Sequence, residues 1–275
     1  MKLLKKYLLM PAFILFLPVY LFSNGLLLPM SAQSAATSNF SIIGNSIGAI
    51  GVNPAISVSG VEFTVNRLYN LAELPRYLFY AGMKLHKFGF ALGIDDLNNC
   101  NYNELTTLLN ASYNLLYFSA GFNLRYHRIH ITNKGNRDTL SLDLGLSWSS
   151  GIFKSAFSWH NCTESKLEND NIPVYFIWEN AITLDPKVVL GFKLEKETGF
   201  EFHPAIATSI SIYHNFKILT SYTLNPQNIG CGFIVNIKNT SVAYAVTYHP
   251  ELDFTHYITL SYGKPAAAAA VHSLP

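Results

Sequence analysis

The sequence predicts an all-β fold: a transmembrane, antiparallel, up-and-down β-barrel of about 14 strands with a short N-terminal plug segment. Three observations predict it. Apolar and polar residues alternate with period two in run after run, tight turns alternate with longer polar connections between those runs, and the composition is rich in aromatics and poor in charge. Aromatic residues make up 14% and charged residues 13%, where a soluble domain carries about 25% charged residues. A large surface of this protein therefore tolerates being apolar.

The alternation is plainest in TLSLDLGLSWSS (139–150). Leu140, Leu142, Leu144, Leu146 and Trp148 share one face, and Ser141, Asp143, Gly145, Ser147 and Ser149 share the other, because successive strand side chains point to opposite sides. In 241–249 the sets are Val242, Tyr244, Val246 and Tyr248 against Ser241, Ala243, Ala245 and Thr247. In 254–262 they are Phe254, Ile258, Leu260 and Tyr262 against Thr255, Tyr257, Thr259 and Ser261. Runs of this kind place strands at roughly 57–66, 75–86, 88–95, 104–113, 115–132, 138–149, 151–160, 173–183, 187–197, 200–212, 214–223, 227–237, 240–249 and 253–262.

The connections carry a second signal. Tight turns fall at 86–87, 113–114, 149–151, 185–186, 214–215 and 238–240. Between them lie connections that are mostly longer and more polar: 68–74, 96–103, 132–137, 161–172, 196–199, 225–228 and 249–252. Short turns at one rim and long loops at the other are the pattern of an outer-membrane barrel. Hydrocarbon admits only backbone whose N–H and C=O groups are all paired, so a closed sheet serves where no transmembrane helix follows the leader. The apolar faces would meet outer-membrane lipid, and Tyr77, Trp148, Trp159, Trp178, Tyr248 and Tyr262 near strand ends suit interfacial girdles. The soluble alternative is an exported β-sandwich with its apolar faces turned to a core. It calls for about seven to nine strands.

Lys2, Lys5 and Lys6 followed by the apolar YLLMPAFILFLPVYLF (7–22) predict a signal peptide over 1–23, with cleavage between 23 and 32. A single N-terminal membrane anchor is the other reading of that stretch. The leader takes three lysines and no acid from 19 Lys+Arg and 17 Asp+Glu. The exported chain is then marginally acidic, which excludes the basic face that a nucleic-acid partner needs. Three cysteines are too few for a disulfide framework. Cys100 and Cys162 fall in polar loops and are candidates to pair, while Cys231 sits in a strand pattern.

The stretch IIGNSIGAIGVNPAIS (42–57) has neither strand nor helix periodicity. Fourteen strands enclose more space than side chains alone fill, yet less than an open porin of 16–18 strands. A segment over 38–56 is placed to fold inward as a plug. Gly44, Gly48 and Gly51 would let its backbone lie close to the wall, and Asn53, Pro54 and Ala55 would make a fixed bend into the barrel at 57–263. Residues 264–275 read as a flexible, alanine-rich tail.

A glycine-rich segment closed by Asn53-Pro54-Ala55, then about fourteen strands, then TYHPELDFTHYITLSYG (247–263) resembles the FadL-type outer-membrane barrels. Within that superfamily it most resembles the PorV/PorQ branch. The resemblance implies a fourteen-stranded barrel with an N-terminal hatch whose signature is Asn53, Pro54 and Ala55. It also implies passage of hydrophobic small molecules or, for PorV/PorQ-like members, export and surface attachment of secreted proteins. The chain is expected to act as a monomer, without a cofactor.

Covalent chemistry finds little footing. GNSIG (44–48) has the nucleophile-elbow spacing around Ser46, but that motif acts only on a strand–turn–helix of an α/β sheet. His86, His127, His160 and His249 lie in or near strands and form no ligand motif. An outer-membrane lipid-modifying enzyme is the remaining catalytic alternative. On the alternation, Glu62, Lys84, Arg125, Asp143, Glu179, Lys193, Glu195 and Lys217 face inward. They either line a selective passage or pair with one another and fill the barrel, since a basic residue in mid-depth lipid costs about 2–4 kcal/mol. A solute channel predicts an apolar lumenal pocket against Ile47–Val52. A secretion component predicts a filled lumen and binding through the outer rim at 161–172.

Overall fold

In the computed structural model, residues 28–263 are described apart from 45 and 169. The leader (1–23) and the tail (264–275) lie outside the described residues.

Fourteen strands close into an antiparallel barrel. Chain order gives β1 Gly60–Arg67, β2 Pro75–Leu85, β3 Phe88–Asn99, β4 Tyr102–Leu115, β5 Phe118–Ile131, β6 Gly135–Ser150 and β7 Phe153–His160. A two-stranded hairpin follows, β8 Lys166–Leu167 and β9 Asp170–Asn171. The barrel resumes with β10 Tyr175–Asp185, β11 Val188–Glu197, β12 Phe202–Tyr213, β13 Phe216–Thr223, β14 Asn228–Ile237, β15 Thr240–His249 and β16 Asp253–Tyr262. Each barrel strand pairs with the next, β7 passes over the hairpin to pair with β10, and β1 closes on β16 in the register Val61↔Tyr262 to Arg67↔His256. No sheet edge is left in the ring, so the two-sheet sandwich is excluded. No helix among the described residues is long and apolar enough to cross a membrane.

The burial pattern follows the sequence alternation, with its direction reversed relative to a soluble barrel. In β6, Leu140, Leu144 and Leu146 are exposed on the outside, while Ser141, Asp143 and Gly145 are buried inside. In β16, Phe254, Ile258, Leu260 and Tyr262 point out, and Thr255, Tyr257 and Thr259 point in. An apolar band encircling a barrel is stable only against hydrocarbon. Ile258 lies midway along β16 and is 58% exposed. Ile258→Arg is expected to lower the unfolding free energy in phospholipid vesicles by about 2–4 kcal/mol, with Ile258→Phe nearly neutral. Equal stability of the two variants in urea titrations would mean that this face does not meet lipid.

Two local expectations need correction. The polar stretch 96–103 is mostly strand, since β3 runs to Asn99 and β4 begins at Tyr102. The sheet continues here beyond the apolar band, where polar residues on both faces erase the alternation but the backbone ladder persists. The long connection after β7 is likewise partly ordered as the β8–β9 hairpin. Cys100, Cys162 and Cys231 are all free, so the candidate Cys100–Cys162 pairing is not formed.

Candidate functional site

Residues 28–44 and 46–59 of the chain itself lie inside the lumen, against the inward faces of the strands. Inside a barrel this backbone has no ladder to join, so its polar groups need partners from the wall, each unpaired one costing about 1–3 kcal/mol. The segment opens with α1 (Ala32–Ala36), one short turn capped by Ser31, whose hydroxyl accepts from the Ser34 N–H at 3.1 Å. Small residues let it sit close to the wall: Ala32, Ala35 and Ala36 pack on Leu219, Ile234, Ala243, Ala245 and Tyr257. Residues ahead of the expected start at 38 thus also pack on the inner wall.

Two wall carboxylates take the segment's N–H groups. Glu62 of β1 accepts from the Ile47 and Gly48 amides at 3.1 and 2.9 Å and from the hydroxyls of Ser46 and Ser261 at 2.7 and 3.0 Å. Glu179 of β10 accepts from the Ser41 amide at 3.0 Å, the Ser41 hydroxyl at 2.8 Å and the Ile42 amide at 3.3 Å. The complementary set of wall donors takes the carbonyls. Asn123 donates to Ile50 O at 2.9 Å, Arg125 to Gly51 O, His160 to Val52 O at 2.8 Å and Asn110 to Pro54 O at 2.9 Å. Lys193 donates to Ser38 O at 2.6 Å while pairing with Glu195 at 2.9 Å. The inward charges therefore divide. Arg125–Asp143 and Lys193–Glu195 pair with each other, as the filled-barrel reading expects, whereas Glu62 and Glu179 hold backbone.

Asn53, Pro54 and Ala55 lie flat on the wall. The Asn53 side chain accepts from the Ala55 amide at 2.9 Å and donates to Leu146 O and Phe157 O at 3.2 and 3.3 Å. Beneath them Gly121 of β5 and Gly145 of β6 are cross-strand partners. A Cβ on Gly121 would come within 2.1 Å of Pro54 O, and one on Gly145 within 2.4 Å of Asn53 Oδ1 and 2.8 Å of Ala55 N. The closest approach is made by glycines of the wall. Gly48 and Gly51 sit in milder contact with Glu62, Met30 and Tyr80, and Gly44 is required by its φ of +89°. Lys84, at the short-turn end of β2, is exposed and faces the mouth.

Above and below the filled middle lie two vestibules. Met30, Ile47, Ile50, Val52 and Val58 pack with wall residues Leu78, Tyr80, Leu108 and Ile177 at mid-depth. On the long-loop side a cavity of about 880 Å³ includes Lys193, Glu195, Glu201, Glu251 and Asp253 in its lining. On the short-turn side a cavity of about 750 Å³ is floored by Ile42, Ile47, Ile56 and Val58. The centre at Ile47–Val52 is filled, and the short-turn cavity reaches it at Ile47 with a lining that is largely polar.

One constellation mimics a hydrolase. His160 Nε2 lies 3.2 Å from Ser158 Oγ, and its Nδ1 lies 3.2 Å from Asp143. Yet Nε2 donates to the Val52 carbonyl and cannot also act as base toward Ser158, which is buried beneath the segment. Ser46 is likewise spent on Glu62 and precedes a short 3₁₀ turn at Ile47–Gly51 instead of an α-helix.

Neither a family model nor a curated protein matches the sequence. Solved structures do match in fold. A FadL homologue from Pseudomonas aeruginosa aligns over 88% of this chain and 100% of its own, with a TM-score of 0.62 at 11% identity. CymD, a monoaromatic hydrocarbon channel, aligns over 86% and 97%, with a TM-score of 0.63 at 9% identity. TodX, the Pseudomonas putida toluene transporter, aligns over 87% and 98%, with a TM-score of 0.58 at 11% identity. This chain has the FadL-type fold. CymD and TodX are described as a hydrocarbon channel and a toluene transporter, and none of the three lends support to the PorV/PorQ expectation.

Proposed function

We propose that the protein is a bacterial outer-membrane channel for uptake of hydrophobic small molecules, closed at mid-depth by the inner segment (28–44 and 46–59). The observation that carries this reading is how the segment is held. Polar contacts from the wall fix its backbone, and an apolar cluster seals its centre. Such an attachment can be exchanged contact by contact, unlike a lumen closed by the wall's own side chains. The FadL-type fold supports the same reading, since the fold neighbours include proteins described as hydrocarbon channels. Glu62, Arg125, Asp143, Glu179 and Lys193 position the plug, with Asn53, Pro54 and Ala55 as its seat on the wall. An N-terminal signal peptide would deliver the chain, and the barrel would work as a monomer in outer-membrane lipid.

The test is uptake of radiolabelled toluene by a bacterial host whose outer membrane lacks a hydrocarbon channel. Uptake is expected to rise in proportion to the folded protein in the membrane; uptake at the level of the empty host would overturn the proposal. A second reading, a PorV/PorQ-like secretion component, is favoured only by the filled mid-lumen and the β8–β9 hairpin at the outer rim. It predicts that deleting 165–171 abolishes retention of an exported protein and leaves toluene uptake intact.

A further inference from the structure

We propose that the short-turn vestibule is a binding site for a small polyvalent anion of the phosphate class. Its lining includes Lys84, Lys154, Lys217 and Lys238 together with His214, and no aspartate or glutamate. Lys84, Lys154 and Lys217 stand near the short-turn ends of β2, β7 and β13 and share inward parity with the buried residues Tyr80, Ala156 and Leu219. Around the closed ring these strands are five, four and five steps apart, so the three ammonium groups approach the axis from nearly even directions. Among the described residues none of the four lysines forms an ion pair.

Like charges converging in a recess raise the free energy of the empty site, and a bound anion relieves it. A single carboxylate cannot reach three cations spread around a barrel; a ligand carrying several negative oxygens can. Lysine binds phosphate oxygens as a mobile point charge, and Ser149 and Ser241 add neutral donors to the same lining. A cavity of about 750 Å³ accommodates a small molecule. Lipid head groups outside the wall are on the wrong face of these strands. The opposite vestibule is acidic by contrast, with Glu195, Glu201, Glu251 and Asp253 against Lys193. The channel therefore presents different chemistry at its two mouths.

The full chain in dodecyl maltoside is titrated calorimetrically with tripolyphosphate, so the outcome does not depend on hydrophobic uptake. One saturable site is expected, weakening as salt rises because screening acts on every contact. The double variant Lys154→Gln/Lys217→Gln is expected to bind about tenfold weaker or less for each lysine removed, while Lys166→Gln on the outer hairpin binds as the parent does. Lys238→Gln lies in a turn, so its folding is not at stake; it is expected to weaken binding as well. If the double variant lacks the heat-shifted gel mobility of a folded barrel, Lys238→Gln alone decides. Absence of binding by the parent, or equal affinity of the decisive lysine variant and the parent, overturns the proposal.

Discussion

Replacing Gly121 and Gly145 together by valine is expected to unseat residues 53–55 and convert a closed barrel into a leaking one. The two glycines are side by side in the wall, and each stands where a Cβ would overlap the Asn53-Pro54-Ala55 backbone or its asparagine. Most of the threatened atoms cannot yield singly: Pro54 O is fixed by Asn110, and Asn53 is tied to Leu146 O and Phe157 O. Overpacking of this kind costs about 1–3 kcal/mol per site, and about 1.4 kcal/mol changes a two-state ratio tenfold. The wall itself tolerates the change, because valine favours strands more than glycine does. The folded fraction should therefore hold while ion conductance in planar bilayers rises at least about tenfold by that ratio. Conductance unchanged in a variant that still shows folded-barrel gel mobility would mean that 53–55 do not seal the lumen.

The strands were legible because a lipid-facing barrel keeps one face apolar along nearly its whole length. The pattern faded in β3 and β4, where Asp95, Asp96, Asn98 and Asn99 carry the ladder past the apolar band, and at the start of β6, where Gly135–Arg137 pair within the expected connection 132–137. The inward set Glu62, Arg125, Asp143, Glu179 and Lys193 was legible for the same reason, since parity alone assigns a face. Their partners were not. Whether Glu62 meets a lysine or the amides of Ile47 and Gly48 depends on where an aperiodic segment lies in three dimensions, which no local pattern encodes. Asn110 and Asn123 give no signal on the same ground, being ordinary polar residues on a polar face, and His160 stands out only as one histidine of no ligand motif. One available signal was the glycine on the inward face of adjacent strands at Gly121 and Gly145. Glycine weakens a strand and marks close approach of another backbone. The wall contacts of 31–38 were obscured because SAQSAATS has the small residues of a cleavage region, and the same small residues are what α1 needs to pack on Ala243 and Ala245.

Arg125 ties these two levels together, and its removal is expected to have the largest effect on stability. Its guanidinium pairs with Asp143 and donates to Gly51 O, joining wall to segment in one side chain. Asp143 is 1% exposed and also accepts from the Asn161 amide at 3.0 Å, with His160 at 3.2 Å. Arg125→Leu would leave that carboxylate short of its main counter-charge and Gly51 O without its donor. Breaking a buried pair from one side costs about 3–5 kcal/mol, and the orphaned carbonyl adds about 1–3 kcal/mol. Arg125→Lys keeps the charge but lacks the planar fork, so one ammonium must serve two acceptors in different directions; its cost should fall between parent and Arg125→Leu. The double variant Arg125→Leu/Asp143→Asn should recover part of the loss, since the uncompensated charge is gone while the Gly51 carbonyl is still unserved. Urea unfolding in phospholipid vesicles, followed by tryptophan fluorescence, measures all three. If Arg125→Leu lies within about 1 kcal/mol of the parent, the range of an exposed pair, then the pair is solvated and the segment is not anchored through it.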